Sequence, residues 1–168
     1  MEIKGIESLI NRLEKVGSSL DSQNTLFLNK LATLGIDTAS VAFKTAIYDG
    51  DNDVIVHTPE WVGSDKIIIR ATGKSVTFIE FGTGVHYFVQ HPLALEMGAY
   101  RGLYGKQKGS NPNGWSYYGV GGTNGKFIRT TTKGNIYRTK GNPPARAMYL
   151  ASKEIRNNIV SLAKEIFK

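Results

Sequence analysis

Cysteine is absent from this 168-residue chain. That excludes disulfides and thiolate metal sites, and nothing in the composition asks for an oxidising compartment. No run of 18 apolar residues occurs, so no transmembrane helix and no membrane partner are expected. The start, Met1-Glu2-Ile3-Lys4-Gly5, lacks the basic-then-apolar layout of a signal peptide, and a product made in the cytoplasm is expected. Histidine is scarce, at three residues, and no serine sits in a Gly-x-Ser-x-Gly elbow. The most uneven scarcity is of acid. Between Met97 and Lys153 there is no Asp or Glu, while ten of the 21 basic side chains fall there. All 14 carboxylates lie outside that stretch. Such asymmetry points to a face or arm that meets something negative, or to a solvated basic loop.

What is present fits one α+β domain over residues 1–168. Ile6, Leu9, Ile10, Leu13 and Val16 recur at helical spacing. Gly17-Ser18-Ser19 predicts a break there, with Ser19 or Asp21 capping a second helix. That helix runs through Leu26, Phe27, Leu31 and Leu34, kinks near Gly35 and reaches about Tyr48. The pattern then turns β-like. Val54–Thr58, Lys66–Thr72 and Ser75–Phe81 read as three strands, the last two joined by Gly73-Lys74 as an antiparallel hairpin. His57 reads as a half-buried strand residue.

Residues 85–140 read as a long Gly-rich, basic insertion or arm that orders on a partner. Within it, Phe127–Thr130 and Asn135–Thr139 predict a late hairpin around Lys133-Gly134. The arm's contact surface for neighbouring subunits or a DNA channel is expected to be Arg101, Lys106, Lys108, Trp115, Tyr117, Tyr118, Lys126, Arg129, Lys133, Arg138 and Lys140. Basic groups interleaved with aromatic rings suit phosphate contact and base stacking without sequence readout. After Asn142-Pro143-Pro144, the residues Met148, Ala151, Ile155, Ile159, Leu162 and Ile166 mark a long C-terminal amphipathic helix, expected to pack on the small antiparallel sheet.

Catalytic and cofactor patterns fail on spacing. His86 and His91 lie five apart with Pro92 between the second and any helix, which suits neither the helical nor the strand spacing of a metal pair, even with Glu96 nearby. Gly119–Phe127 resembles a phosphate loop but has Val120 and Phe127 where the fingerprint needs glycine and a hydroxyl. Gly119-x-Gly121 lacks the third glycine of a dinucleotide turn, holding Asn124 there. No cofactor, no metal and no catalytic activity are expected.

Two segments carry a family resemblance. Phe78-Ile79-Glu80-Phe81-Gly82-Thr83-Gly84 ends in an acidic-aromatic-Gly-Thr-Gly turn. Gly141-Asn142-Pro143-Pro144-Ala145-Arg146 opens the terminal helix, though Ala147-Met148 stands where an aromatic is usual. The pair, separated by an insertion, resembles the tail-completion or neck (head-tail joining) proteins of long-tailed bacteriophages and prophages. The resemblance implies a structural virion subunit of the head-tail junction. It would form a homo-oligomeric ring around the DNA channel beside head-closure or connector and tail-terminator or tail-tube proteins, with possible non-specific contact to genomic DNA. The alternative is a non-specific DNA-binding accessory protein. Gly82 and Gly84 are expected to permit a sharp exit from the sheet, and Glu80 to pair with Arg146.

Overall fold

The computed structural model describes residues 6–84, 86–87, 91–98 and 111–167. It is α+β, built from two long helices and three small antiparallel sheets. Among the described residues, no helix is long and apolar enough to cross a membrane.

The first helix, α1, runs unbroken from Ile6 to Lys44, 39 residues or about 58 Å at 1.5 Å per residue. The expected break at Gly17 does not occur, and the helix continues through Gly35. Ser18, Ser22, Thr25, Thr38 and Thr45 each return their hydroxyl to the carbonyl four residues back, which satisfies them inside the helix. Gly35 serves as a packing notch. A Cβ there would come within 2.6 Å of Ile69 and 2.7 Å of Ile155, so the helices sit close at that level. After Lys44 the chain turns, with the Asn52 amide donating to the Phe43 carbonyl at 2.8 Å.

Four short strands follow: β1 (Ile55–Val56), β2 (Glu60–Val62), β3 (Lys66–Ile68) and β4 (Ala71–Thr72). β1 pairs with β4, and β2 with β3. The stretch read as one strand, 66–72, is therefore two, serving different partners. His57 lies just past β1 and is exposed, bonded to the Thr72 hydroxyl at 2.6 Å.

Residues Val76–Phe81 form a helix, α2, where a third strand was expected, and no 66–72/75–81 hairpin exists. The reason lies in Ile79 and Glu80, which are adjacent and both buried. A strand would point them to opposite faces, whereas a helix keeps both on one side. Ile79 is 1 % exposed and enters the core with Ala39, Phe43, Ala147 and Ala151. Burying it contributes about 1.5–3 kcal/mol.

The Gly-rich region holds a sheet of its own. β5 (Trp115–Tyr118), β6 (Lys126–Thr131) and β7 (Gly134–Thr139) pair in the order β5-β7-β6, so the predicted late hairpin is present. Within the 85–140 stretch, residues 111–140 thus form an ordered sheet tied to Asp49 through Asn124 and Thr139. Gly122 shows why glycine is used there: at φ 60° a Cβ would lie 2.1 Å from the Tyr48 carbonyl oxygen and 2.4 Å from the Gly50 nitrogen. It is a point where two backbones touch.

The last helix, α3 (Ala147–Ile166), runs antiparallel along α1 rather than across a sheet. Gln23 donates to the Ile166 carbonyl, Lys30 pairs with Glu165 at 2.7 Å, and Phe27 meets Phe167 edge-on at 5.6 Å. The α3 partner ends there, leaving residues 6–20 of α1 beyond it.

Candidate functional site

The two motifs that carry the resemblance interlock. Thr83 N donates to the Asn142 carbonyl, and Asn142 N donates back to Thr83 at its carbonyl and hydroxyl. Ala145 N reaches the Ile79 carbonyl and Arg146 N reaches the Glu80 carbonyl. Gly82, at φ 79°, presses on the Asn142 carbonyl and on Pro144, leaving no room for a side chain. Gly84 has the same φ, so both glycines permit the sharp exit expected of them, though from α2 and not from a strand.

The expected Glu80–Arg146 ion pair is replaced by a different tie. The Glu80 carboxylate accepts Met148 N at 2.9 Å and Tyr149 N at 3.1 Å, the orphan amides of the α3 first turn. Arg146 precedes α3 at φ 56°, gives no side-chain cap, and points outward. A carboxylate at a helix N-terminus also meets the positive end of the dipole. His91 completes the group. Its Nδ1 accepts from Leu93 N, which places the ring proton on Nε2, facing Glu80 Oε1 at 3.1 Å. Phe81 stacks at a tilt on the His91 ring, centroids 4.5 Å apart. His86 goes elsewhere, its Nε2 on the Pro112 carbonyl. Among the described residues, no cluster of His, Asp and Glu is arranged to hold a metal.

A second buried polar line crosses from α1 to the late sheet. Asp49 accepts Asn124 N at 2.7 Å and the Thr139 hydroxyl at 2.7 Å, and its own N donates to Asn142 Oδ1. Beside it opens a cleft of about 500 Å³, walled by Tyr48, Phe78, Trp115, Tyr117 and Tyr118 with Asp49 and Asp51. Among the described residues, no Lys or Arg lines it. Burial raises the Tyr48 phenol, with further push from Asp53, Asp49 and Asp51. Burial and then the Asp49 charge push the Tyr117 phenol up to about 12. The adjoining Asp53 carboxyl is lowered to about 2 by the Ser75 hydroxyl and the Lys74 and Ser75 amides.

The sheet has two unlike faces, because antiparallel partners share a side. Tyr117, Tyr137 and Phe127 form one row and Trp115 pairs with Thr139 on the same face; Thr139 meets Asp49 and Tyr117 the Gly121 carbonyl, while Phe127 on the edge strand is 57 % exposed. Ser116, Arg138 and Lys126 form the opposite row, followed by Tyr118, Ile136 and Arg129. Lys126 and Arg129 share a face only because the register slips between Phe127 and Arg129, taking Ile128 out of the alternation. Lys133 stands at the exposed hairpin tip and Lys140 is exposed past β7. The predicted contact residues therefore divide: Trp115, Tyr117 and Tyr118 line the cleft, while Lys126, Arg129 and Arg138 are exposed on the sheet face opposite Trp115 and Tyr117. Arg101, Lys106 and Lys108 lie outside the described residues.

A further surface is the free end of α1. Ile6, Leu9, Ile10, Leu13, Val16 and Leu20 are 45–62 % exposed on one helical stripe. The stripe was legible in the sequence; that α3 stops short of it was not. Sequence reasoning also missed Asp49, Thr139, Asn142 and the capping role of Glu80, all of which act across distant chain positions. A scan against protein-family models, a search of curated proteins and a search of solved structures each returned no match for this chain.

Proposed function

We propose that this chain is a structural subunit of a bacteriophage virion, placed at the head-tail junction, where copies assemble as a ring around the DNA channel beside connector and tail proteins. One observation carries the assembly half of this reading: six large aliphatic side chains lie uncovered in a row on α1. An isolated soluble chain rarely shows such a contiguous stripe, and partners remove it from water. The interlocking of the Glu80–Gly84 and Asn142–Arg146 motifs supports the resemblance, since the two sequence signatures meet as one structural unit. The reading is also non-catalytic. Glu80, His91 and Asp49, the buried groups able to do proton chemistry, are each committed to fold-holding hydrogen bonds.

The test is electron microscopy of lysates from a phage lacking this gene. Filled heads and tails that remain separate are the expected result; joined, infective particles would sink the assignment. The exposed Lys126, Arg129 and Arg138 side favours one second reading, a non-specific DNA-binding accessory protein. That reading predicts tight DNA binding by the isolated chain with a steep fall in salt, and no effect on head-tail joining.

A further inference from the structure

The cleft between the Tyr48–Asp51 turn and β5 has a chemistry that the ring reading does not use. Its walls include the rings of Tyr48, Trp115 and Tyr117, and its acids are Asp49 and Asp51. Asp49 is 9 % exposed and receives two neutral donors, Asn124 N and the Thr139 hydroxyl, but no cation among the described residues. A mostly buried carboxylate bonded only to neutral donors retains a negative field; the phenols of Tyr48 and Tyr117 are raised first by burial, and the Asp49 charge adds to the shift, behind Asp53 at Tyr48. Asp51 stands exposed and is not in an ion pair among the described residues. Aromatic faces with nearby carboxylates favour an alkyl-ammonium or guanidinium group, by cation–π attraction and charge together. The volume of about 500 Å³ admits a long side chain.

The same chain presents such groups toward the other edge of the same sheet, where Lys126 and Arg129 of β6 and Arg138 of β7 are exposed. Complementary surfaces at opposite edges of one sheet join copies head to tail, which is the heterologous contact that closes rings. We propose that the cleft receives a basic side chain, Lys or Arg, from the β6–β7 face of a second copy of this chain. This rests on the ring reading and names one of its contacts.

The experiment is sedimentation of the full chain across concentration, for wild type, Asp51→Lys, Arg129→Glu and Lys126→Glu. Each substitution lies at an exposed position and leaves the fold intact, which circular dichroism checks. Wild type is expected to associate. Asp51→Lys is expected to weaken association roughly ten- to thirtyfold, and the Arg129→Glu, Lys126→Glu double variant similarly. Mixing the cleft variant with the basic-face variant leaves one intact contact per pair, so a dimer and nothing larger should return. Rings that Asp51→Lys leaves unchanged, or a mixture that stays monomeric, would overturn the cleft proposal while the ring reading stands. Wild-type chains that never associate would count against the ring reading itself.

Discussion

Glu80→Gln is the substitution that most directly tests how this fold is held. Glu80 is 6 % exposed, and its two oxygens accept Met148 N, Tyr149 N and His91 Nε2. All three partners are donors. Leu93 N occupies His91 Nδ1, so the ring cannot move its proton without losing that bond. Glutamine keeps the shape but supplies one carbonyl and one NH₂, so a donor must face a donor. An unsatisfied buried donor costs about 1–3 kcal/mol, which sets the expected loss at about 2 kcal/mol. Glu80→Ala orphans all three donors and removes the cap from α3, for about 3–5 kcal/mol. At this chain length each kcal/mol moves Tm by roughly 2–4 °C, so Glu80→Gln should lower it by about 4–8 °C. His91→Gln in the Glu80→Gln background allows the two amides to pair, so the double-mutant cycle should show a favourable coupling of at least about 1 kcal/mol. Arg146→Gly is the control. If the motifs were tied by a Glu80–Arg146 ion pair it would be costly. Since Arg146 contributes its backbone at φ 56°, the change should be neutral or stabilising by up to about 1 kcal/mol. A Glu80→Gln protein within about 0.5 kcal/mol of wild type in urea unfolding would refute the capping argument.

Gly17→Ala, at an exposed helical site where a Cβ meets nothing within 4 Å, should stabilise by about 0.5–1 kcal/mol; Gly35→Ala should gain less, since its Cβ displaces Ile69 and Ile155. Thermal midpoints of the two variants decide the order. Asp53 has a folded-state value of about 2 against an ordinary 3.8, so its contribution is present above about pH 4 and is lost as pH falls through 2. Asp53→Asn should flatten the wild-type decline in urea midpoint across that window. Tyr117 is shifted the other way, to about 12, so its contribution is full below about pH 10 and disappears as pH rises through 12. Tyr117→Phe should lessen the alkaline loss of stability, and phenolate absorbance should lose its latest-titrating component. Leu9→Ser with Leu13→Ser, both at exposed positions, should reduce self-association seen by light scattering while changing unfolding by no more than about 0.5 kcal/mol.

The long helices were legible because an apolar stripe repeats over many turns and outweighs single residues. Gly17 and Gly35 misled in opposite ways. The first faces open space and merely weakens the helix locally, while the second is a contact surface for another helix. The stretch 76–81 was misread because Val76, Phe78 and Glu80 alternate as in a strand, yet Val76, Ile79 and Glu80 also follow helical spacing. Only the tertiary demand that Ile79 fill the core and Glu80 cap α3 decides between the two periods. The β6–β7 hairpin was readable from its β-branched runs and its glycine turn.

Glycine content misled about the late sheet for a different physical reason. Composition treats glycine as freedom, but Gly82 and Gly122 sit where a neighbouring backbone leaves no room for a side chain. The ties that define the junction join partners 90 residues apart in Asp49–Thr139, 59 in Asn142–Thr83 and 68 in Met148–Glu80. No local period encodes such a pair. The sequence did offer one usable hint. An isolated acid at the end of a motif, ahead of a helix whose own first turn contains no acid, implies a cap supplied from outside. The same logic applied to Asp49 asks which cation or donor answers it. Asn124 N and the Thr139 hydroxyl answer as donors, and neither carries charge. The charge of Asp49 is thus left open toward the cleft, where it adds to the burial that raises the Tyr48 and Tyr117 phenols.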